Sequence, residues 1–414
     1  MDCNFASSLQ PNLNLNLILN ANQNSEPEMS QSQSQPRKKS IFLSKHEHVP
    51  DDVVYDILSW LPVKSLMRYR CVSKYSNSII TDPIFITIHN DRANSLLSHK
   101  NKNNGYLLFS PERQNYSSCN ELYTFVYNKD HALTEISSFQ IPLSHTFIVG
   151  FCNGMFFLSN YSKNLLYLWN PSIRKFKMLP PNLLGHLLGS VAHGLAYHSQ
   201  KNDFKILRIV FQRSLADTSA EVYTLSTDSW RRVVISMESE LNIGSINYKH
   251  ISPCLFFNGA LHSIVYSDYR EQSFILSFDV NDERFRKIML PQIYLDEASY
   301  LDFEYLAMIK GSLALIVFGT VIDKFLGICQ IWVMREYGVV ESWTKKCVLI
   351  HWFHRSCGCT DNGELLIENA NGLVSFDPES LNENILAIED PKWVGYTANS
   401  MESLALLDGV NVNV

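Results

Sequence analysis

Five times along the chain a tight turn built on glycine leads directly into a short apolar run: Asn104-Gly105-Tyr-Leu-Leu-Phe, Asn153-Gly154-Met-Phe-Phe-Leu, Asn258-Gly259-Ala-Leu-His-Ser, Lys310-Gly311-Ser-Leu-Ala-Leu and Asn362-Gly363-Glu-Leu-Leu-Ile. A turn this tight needs positive φ, which glycine adopts without steric penalty, and the run that follows reads as a strand. A second pattern is a strand carrying an aromatic residue, then a polar turn and another strand. It recurs at Leu168-Trp169, Val222-Tyr223, Ser277-Phe278 and Ile331-Trp332, with weaker copies at Leu122-Tyr123 and Ser375-Phe376.

The aromatic positions 123, 169, 223, 278, 332 and 376 stand about 44 to 55 residues apart. That spacing suits one four-stranded propeller blade, near the kelch period of about 50 residues. The first pattern would supply the buried inner pair of strands and the second the outer pair. Arranging the sheets radially removes the open edges that one flat sheet of this length would expose. Six copies predict about six blades, with one more if residues 85–97 contribute strands, and they place the repeated aromatics in the core between blades. The longer irregular stretches at 185–193, 214–220, 236–252 and 292–299 are the candidate recognition loops, because loops on a rigid scaffold carry specificity.

Ahead of the repeat, residues 49–82 read VPDDVVYDILSWLPVKSLMRYRCVSKYSNSIITD. Asp51 and Asp52 follow Pro50 and suit the first turn of a helix, where unpaired N–H groups and the dipole favour negative charge. Val54, Ile57, Leu58 and Leu61 fall on one helical face. Pro62 ends this helix near Leu61 and suits the first turn of a second, in which Val63, Leu66 and Met67 are apolar. A third helical pattern carries Cys71, Val72, Ile79 and Ile80. Three helices this short bury too little surface to be stable alone. Val54, Leu58, Trp60 and Leu66 do not all fit one small core, so some are expected to anchor another protein.

The order P-D-D-V-V-Y-D-I-L-S-W-L-P-V-K-S-L, with I-I-T-D-P-I-F at 79–85, resembles an F-box, the adaptor-binding module of SCF-type ubiquitin ligases. The resemblance implies that Val49, Pro50, Ile57, Leu58, Leu61, Pro62, Val63 and Leu66 pack on an Skp1-like adaptor and through it reach a cullin. Ser76 stands where that family commonly has tryptophan, which is expected to weaken the third helix. Downstream, Gly150-Phe-Cys-Asn-Gly154, Leu168-Trp-Asn-Pro-Ser-Ile-Arg174, T-D-S-W-R-R at 227–232, S-F-D-V at 277–280 and I-W-V-M-R-E-Y-G-V-V-E-S-W at 331–343 resemble the F-box-associated domain of plant F-box proteins. That family includes kelch-type and S-locus substrate receptors. The two resemblances imply a small all-α F-box of three helices at 45–90, then an all-β, kelch-like propeller of about six blades at 91–414. They also imply a non-catalytic receptor that recruits a target protein for ubiquitination. The alternative is an interaction or ligand-sensing propeller that engages no ligase.

Residues 1–44, rich in Asn, Gln and Ser, read as a disordered tail. A net charge of −6 gives no footprint for nucleic acid. The longest apolar run is too short for a spanning helix, so no membrane partner is expected. Nine cysteines, odd in number and scattered, suit a reducing compartment, in keeping with the cytoplasm or nucleus. Phosphate-loop, nucleophile-elbow and zinc-helix spacings are missing, and no cofactor is expected. One cluster, His351, His354, Cys357 and Cys359, holds zinc-type ligands within nine residues. In an extended chain these side chains would alternate across a sheet, so it is a weak metal candidate.

Overall fold

The computed structural model describes residues 49–100, 105–111, 121–128, 132–141, 143, 146–160, 162–185, 189–212, 218–235, 246–248, 253–267, 272–297, 303–320, 326–351, 353–388, 391–399, 401–405 and 410–411. The expected tail at 1–44 lies outside the described residues. Four helices come first: α1 (Asp51–Ser59), α2 (Val63–Tyr69), α3 (Lys74–Thr81) and α4 (Pro83–Lys100). Asp51 and Asp52 occupy the first turn of α1, as the helix dipole favours. Ser76 does not spoil α3: the Ser73 hydroxyl accepts the Ser76 backbone N–H at 3.0 Å, and the two hydroxyls pair at 2.8 Å. The small residue fits this buried cap where a large ring would not.

Helix α4 departs from the sequence reading, which allowed strands at 85–97. Ile84, Ile86 and Ile88 alternate as in a strand, but tertiary packing decides otherwise. Phe85, Ile86 and His89, at helical spacing, are the residues that turn inward. The Asp82 carboxylate starts the helix by accepting the Ile84 N–H at 2.7 Å.

Strands form six antiparallel sheets. Blade 1 contains β1 (Gly105–Pro111), β2 (Glu121–Tyr127) and β3 (Leu133–Gln140). Blade 2 contains β4 (Phe147–Cys152), β5 (Met155–Asn160), β6 (Leu165–Asn170) and β7 (Lys175–Met178). Blade 3 contains β8 (Gly189–His198), β9 (Asp203–Gln212), β10 (Ser219–Thr224) and β11 (Ser229–Val233). In blade 4, β12 (Ile246–Tyr248) and β13 (Leu255–Phe257) both pair with β14 (Ala260–Ser267), followed by β15 (Gln272–Asp279) and β16 (Phe285–Met289). Helix α5 (Gln292–Glu297) leads to blade 5, made of β17 (Phe303–Ile309), β18 (Ser312–Thr320), β19 (Leu326–Met334) and β20 (Trp343–His351). Blade 6 contains β21 (Arg355–Cys359), β22 (Leu365–Asn369), β23 (Gly372–Phe376) and β24 (Glu383–Ile385).

The ring closes through hydrogen bonds between its two ends: β25 (Pro391–Thr397) pairs with β1, Tyr106 opposite Thr397, and completes blade 1. Downstream, β26 (Val410–Asn411) extends blade 2 beyond β7. Each of the six repeated aromatics lies on the third strand of its blade. Trp169, Tyr223, Phe278, Trp332 and Phe376 are buried against the preceding blade. Tyr123 differs, sitting half-buried beside Phe109 and Phe125.

The core is divided among the junctions between neighbouring blades rather than pooled in one centre. Successive side chains of an inner strand point to opposite faces and so enter different junctions. On β5, Phe156 and Leu158 pack toward blade 1 while Phe157 packs toward blade 3. Both faces being buried, such strands read as unbroken apolar runs.

Candidate functional site

The helical module and the ring share a core. Leu58, Val63, Leu66, Ile80, Phe85 and Ile86 form one cluster with Ile173, from the β6–β7 turn, and Leu404, from the segment after β25. Polar contacts follow the same junction. The Val63 N–H donates to Glu402 Oε2 at 2.9 Å, which caps α2 where Pro62 has no side chain to do so. Asn202 Nδ2 donates to the Pro83 carbonyl at 3.3 Å. Gly154, at φ +71, lies under this segment, and a Cβ there would meet the Met401 carbonyl at 2.4 Å.

This packing sorts the residues that the sequence offered as adaptor anchors. Leu58, Val63 and Leu66 face the shared core and present no surface to a partner. Leu61 is half-buried, and its carbonyl pairs with His89 Nε2 at 2.9 Å. Val49, Pro50, Ile57 and Pro62 are exposed. Trp60, which the sequence offered as an anchor, is exposed on that side, and so are two apolar residues it did not single out as anchors, Val53 and Tyr75. Val53, Ile57 and Trp60 recur at helical spacing and make a stripe along the outer face of α1 and its C-terminal cap. Ile57 is 54% exposed and its neighbour Leu58 3%, so α1 is apolar on two faces and only one is used internally. Arg92 of α4 fixes one end of the stripe. Its guanidinium lies 4.8 Å from the Trp60 ring centre and pairs with Asp56 at 2.8 Å.

Because adjacent strands alternate in direction, the turns between the first and second strands of blades 2 to 6, and those between the third and fourth strands, lie at one end of the ring. Ile173 and Asn202 belong to such turns, so the helical module sits at that end. The described strand ends beside the four stretches expected to be recognition loops lie at the opposite end, whereas residues 186–188, 214–217, 236–245, 249–252 and 298–299 of those stretches lie outside the described residues. Parts of these are regular: residues 189–193 belong to β8, 219–220 to β10, 246–248 to β12 and 292–297 to α5. The connection into blade 3 is pinned by a buried ion pair. Arg208 Nη1 meets Glu221 Oε1 at 2.5 Å, Glu221 Oε2 accepts the Leu183 and Leu184 N–H groups at 2.9 and 3.2 Å, and Arg208 donates to the Gly185 carbonyl at 3.1 Å. His193 lies beside Arg208 in the ladder; burial, and then the guanidinium charge, pull its imidazole down to about 3.

The zinc candidates do not converge. Cys357 packs in the junction of blades 6 and 1 and Cys359 in that of blades 5 and 6: two residues apart, they would share a face of a regular strand, but the bulge between Ser356 and Gly358 separates them. His354 is exposed, and the His351 side chain lies outside those described. Among the described residues no group of three or more potential ligands comes together. A serine, a histidine and a tyrosine do meet at the junction of blades 4 and 5. His262 Nε2 pairs with the Tyr337 hydroxyl at 2.6 Å and lies 3.3 Å from Ser277 Oγ. Its Nδ1 faces the Leu255 carbonyl at 3.3 Å rather than a carboxylate, and burial lowers its pKa to about 4. Tyr127, Glu364 and Ser375 form a counterpart between blades 1 and 6, with bonds of 2.7 and 2.9 Å from the Tyr127 hydroxyl. Both clusters tie neighbouring blades together.

Among the described residues no helix is long and apolar enough to cross a membrane. Known proteins share both parts of this architecture. The F-box domain profile matches residues 47–87, and that of the F-box associated beta propeller domain matches residues 114–401. The F-box protein CPR1 of Arabidopsis thaliana is 27% identical over 376 residues, covering 83% of this chain and 85% of the relative. An F-box/kelch-repeat protein of the same plant is 24% identical over 341 residues, covering 80% and 88%. Among solved structures, the Dos1 propeller matches 70% of this chain and 67% of its own at 8% identity and a TM-score of 0.30, too slight a likeness to bear on function. With most of its length matched by the propeller profile and the helices ahead of it by the other, the chain belongs to the F-box proteins that carry an F-box-associated β-propeller.

Proposed function

We propose that this chain is the substrate-recognition subunit of an SCF-type ubiquitin ligase. The F-box docks on an Skp1-like adaptor and through it a cullin, while the propeller holds the target protein. The observation that carries this reading is the apolar stripe of Val53, Ile57 and Trp60, exposed on a module whose other face is already filled by Ile173 and Leu404. A row of apolar side chains that the fold does not use suits a partner surface. The chain's own contribution is then proximity: fixing a target beside a charged conjugating enzyme raises the effective concentration of its lysines without acid–base chemistry. Such a role suits a place in the cytoplasm or nucleus, which imaging of a tagged chain would test.

The experiment is co-purification with an Skp1-like adaptor, comparing the wild type with a Val53→Asp, Ile57→Asp double variant. Both positions are exposed, so the fold is retained, but docking would desolvate two carboxylates and should weaken binding by about a hundredfold or more. Binding by the wild type and loss in the variant supports the reading. A folded wild type that captures no adaptor, or a variant that binds as well, overturns it.

A further inference from the structure

At the end of the ring that carries the F-box, blades 5 and 6 part to leave a cleft of about 290 Å³. Its floor is aliphatic, formed by Ile309, Ile331 and Val333, and its mouth is basic. Lys310 and Arg335 stand there exposed, with no carboxylate partner for either side chain among the described residues. Lys346, also at the mouth, pairs with Glu379 at 3.2 Å in a solvent-exposed contact that exchanges partners at little cost and also feels Asp377; with Lys345, the lining carries four cations against these two carboxylates.

Two features of the backbone shape the cleft. Lys310 occupies the left-handed region at φ +50, where the equivalent turns of blades 2 and 4 use Asn153 and Asn258. Asparagine tolerates that conformation better than lysine. Lys310 thus brings a cation to the mouth from a turn whose counterparts hold neutral asparagines. On the facing wall, Gly363 at φ +92 leaves the cleft open: a Cβ would lie 3.0 Å from Ile309 Cγ2.

We infer that this cleft binds an acidic linear peptide, seating one aliphatic side chain on the Ile309 and Val333 floor while flanking carboxylates pair with Lys310, Arg335 and Lys346. The volume is at the lower limit of small-molecule pockets, which suits a peptide side chain rather than a bulky ligand. The surplus of positive charge at its mouth selects an anion. As the target-recognition site of a receptor, the cleft rests on the reading above, but its binding is measured without any adaptor. Failure here leaves adaptor co-purification standing, and failure there leaves peptide binding standing.

The test is fluorescence anisotropy on the full chain, using a labelled peptide with one leucine flanked on each side by two glutamates. The wild type should bind saturably and more weakly as salt rises. A Lys310→Asn, Arg335→Gln variant should bind about tenfold more weakly. Its first change restores the residue used in the sister turns, so its melting temperature should match or exceed the wild type's. A serine in place of the leucine should also weaken binding. Absence of saturable binding, an unchanged affinity in the double variant, or equal binding of the serine peptide would overturn the inference. Inorganic phosphate competing as well as the peptide would reduce the cleft to a plain anion patch and overturn it too.

Discussion

Replacing Leu404 with alanine tests whether the F-box takes part of its core from the ring. Leu404 is fully buried, yet it follows β25, the strand that closes the ring, and clusters with Leu58, Val63 and Leu66 some 340 residues earlier. Truncating a fully buried leucine costs about 2–5 kcal/mol, because the contacts are lost and the cavity only partly collapses. A loss of about 3 kcal/mol, at a factor of ten for each 1.4 kcal/mol, should raise the opening of the module roughly a hundredfold. Native-state hydrogen exchange reads this directly. Amides of α1 to α3 should exchange about a hundred times faster, while those of β18 and β19, across the ring in blade 5, keep their protection. Unchanged exchange in α1 to α3 would refute the shared core. Equal acceleration in β18 and β19 would refute the idea that the loss is local to the module.

Glu221→Gln should destabilise the chain by about 3–5 kcal/mol, because Arg208 is left charged in a buried site, whereas a Glu221→Leu, Arg208→Met pair should cost less than the sum of the single changes; thermal melts in a double-variant cycle check this. His193 and His262 stay neutral in the fold, at about 3 and about 4, while in the unfolded chain each takes up a proton below about 6.5. Stability is thus lost as pH falls from about 6.5 toward each folded value, by about 2 kcal/mol per histidine at pH 5, and His262→Gln should flatten that part of the stability curve relative to the wild type. Tyr127→Phe should lower the melting temperature by removing the hydroxyl that bonds Glu364 and Ser375 across the ring closure, at a cost of about 1–3 kcal/mol. Leu58→Asp should prevent folding of the F-box, whereas Ile57→Asp should leave its circular dichroism unchanged, since only the first puts a carboxylate into the core.

Much of the fold was legible because the propeller is a local repeat. A glycine turn fixes its own hairpin, and the third-strand aromatics keep a regular interval, so period and blade number can be read without knowing which strands meet. Helix α4 was not legible, since the alternation of Ile84, Ile86 and Ile88 imitates a strand and only Phe85, Ile86 and His89 packing inward selects the helix. The zinc candidates are near neighbours in the chain, but the bulge between Ser356 and Gly358 in β21 turns Cys357 and Cys359 into different junctions, which no residue pattern announced.

The sequence by itself determined that the chain begins with helices of the F-box pattern, continues as about six four-stranded blades and buries most of its repeated aromatics, because these depend on turn chemistry and spacing within tens of residues. The tertiary structure alone decided which face of α1 is open. That face is set by Ile173 and Leu404 covering the other one, a contact between segments far apart in the chain. It likewise brought Lys310, Arg335 and Gly363 from three separate turns to one cleft, an arrangement that exists only once two blades lie side by side.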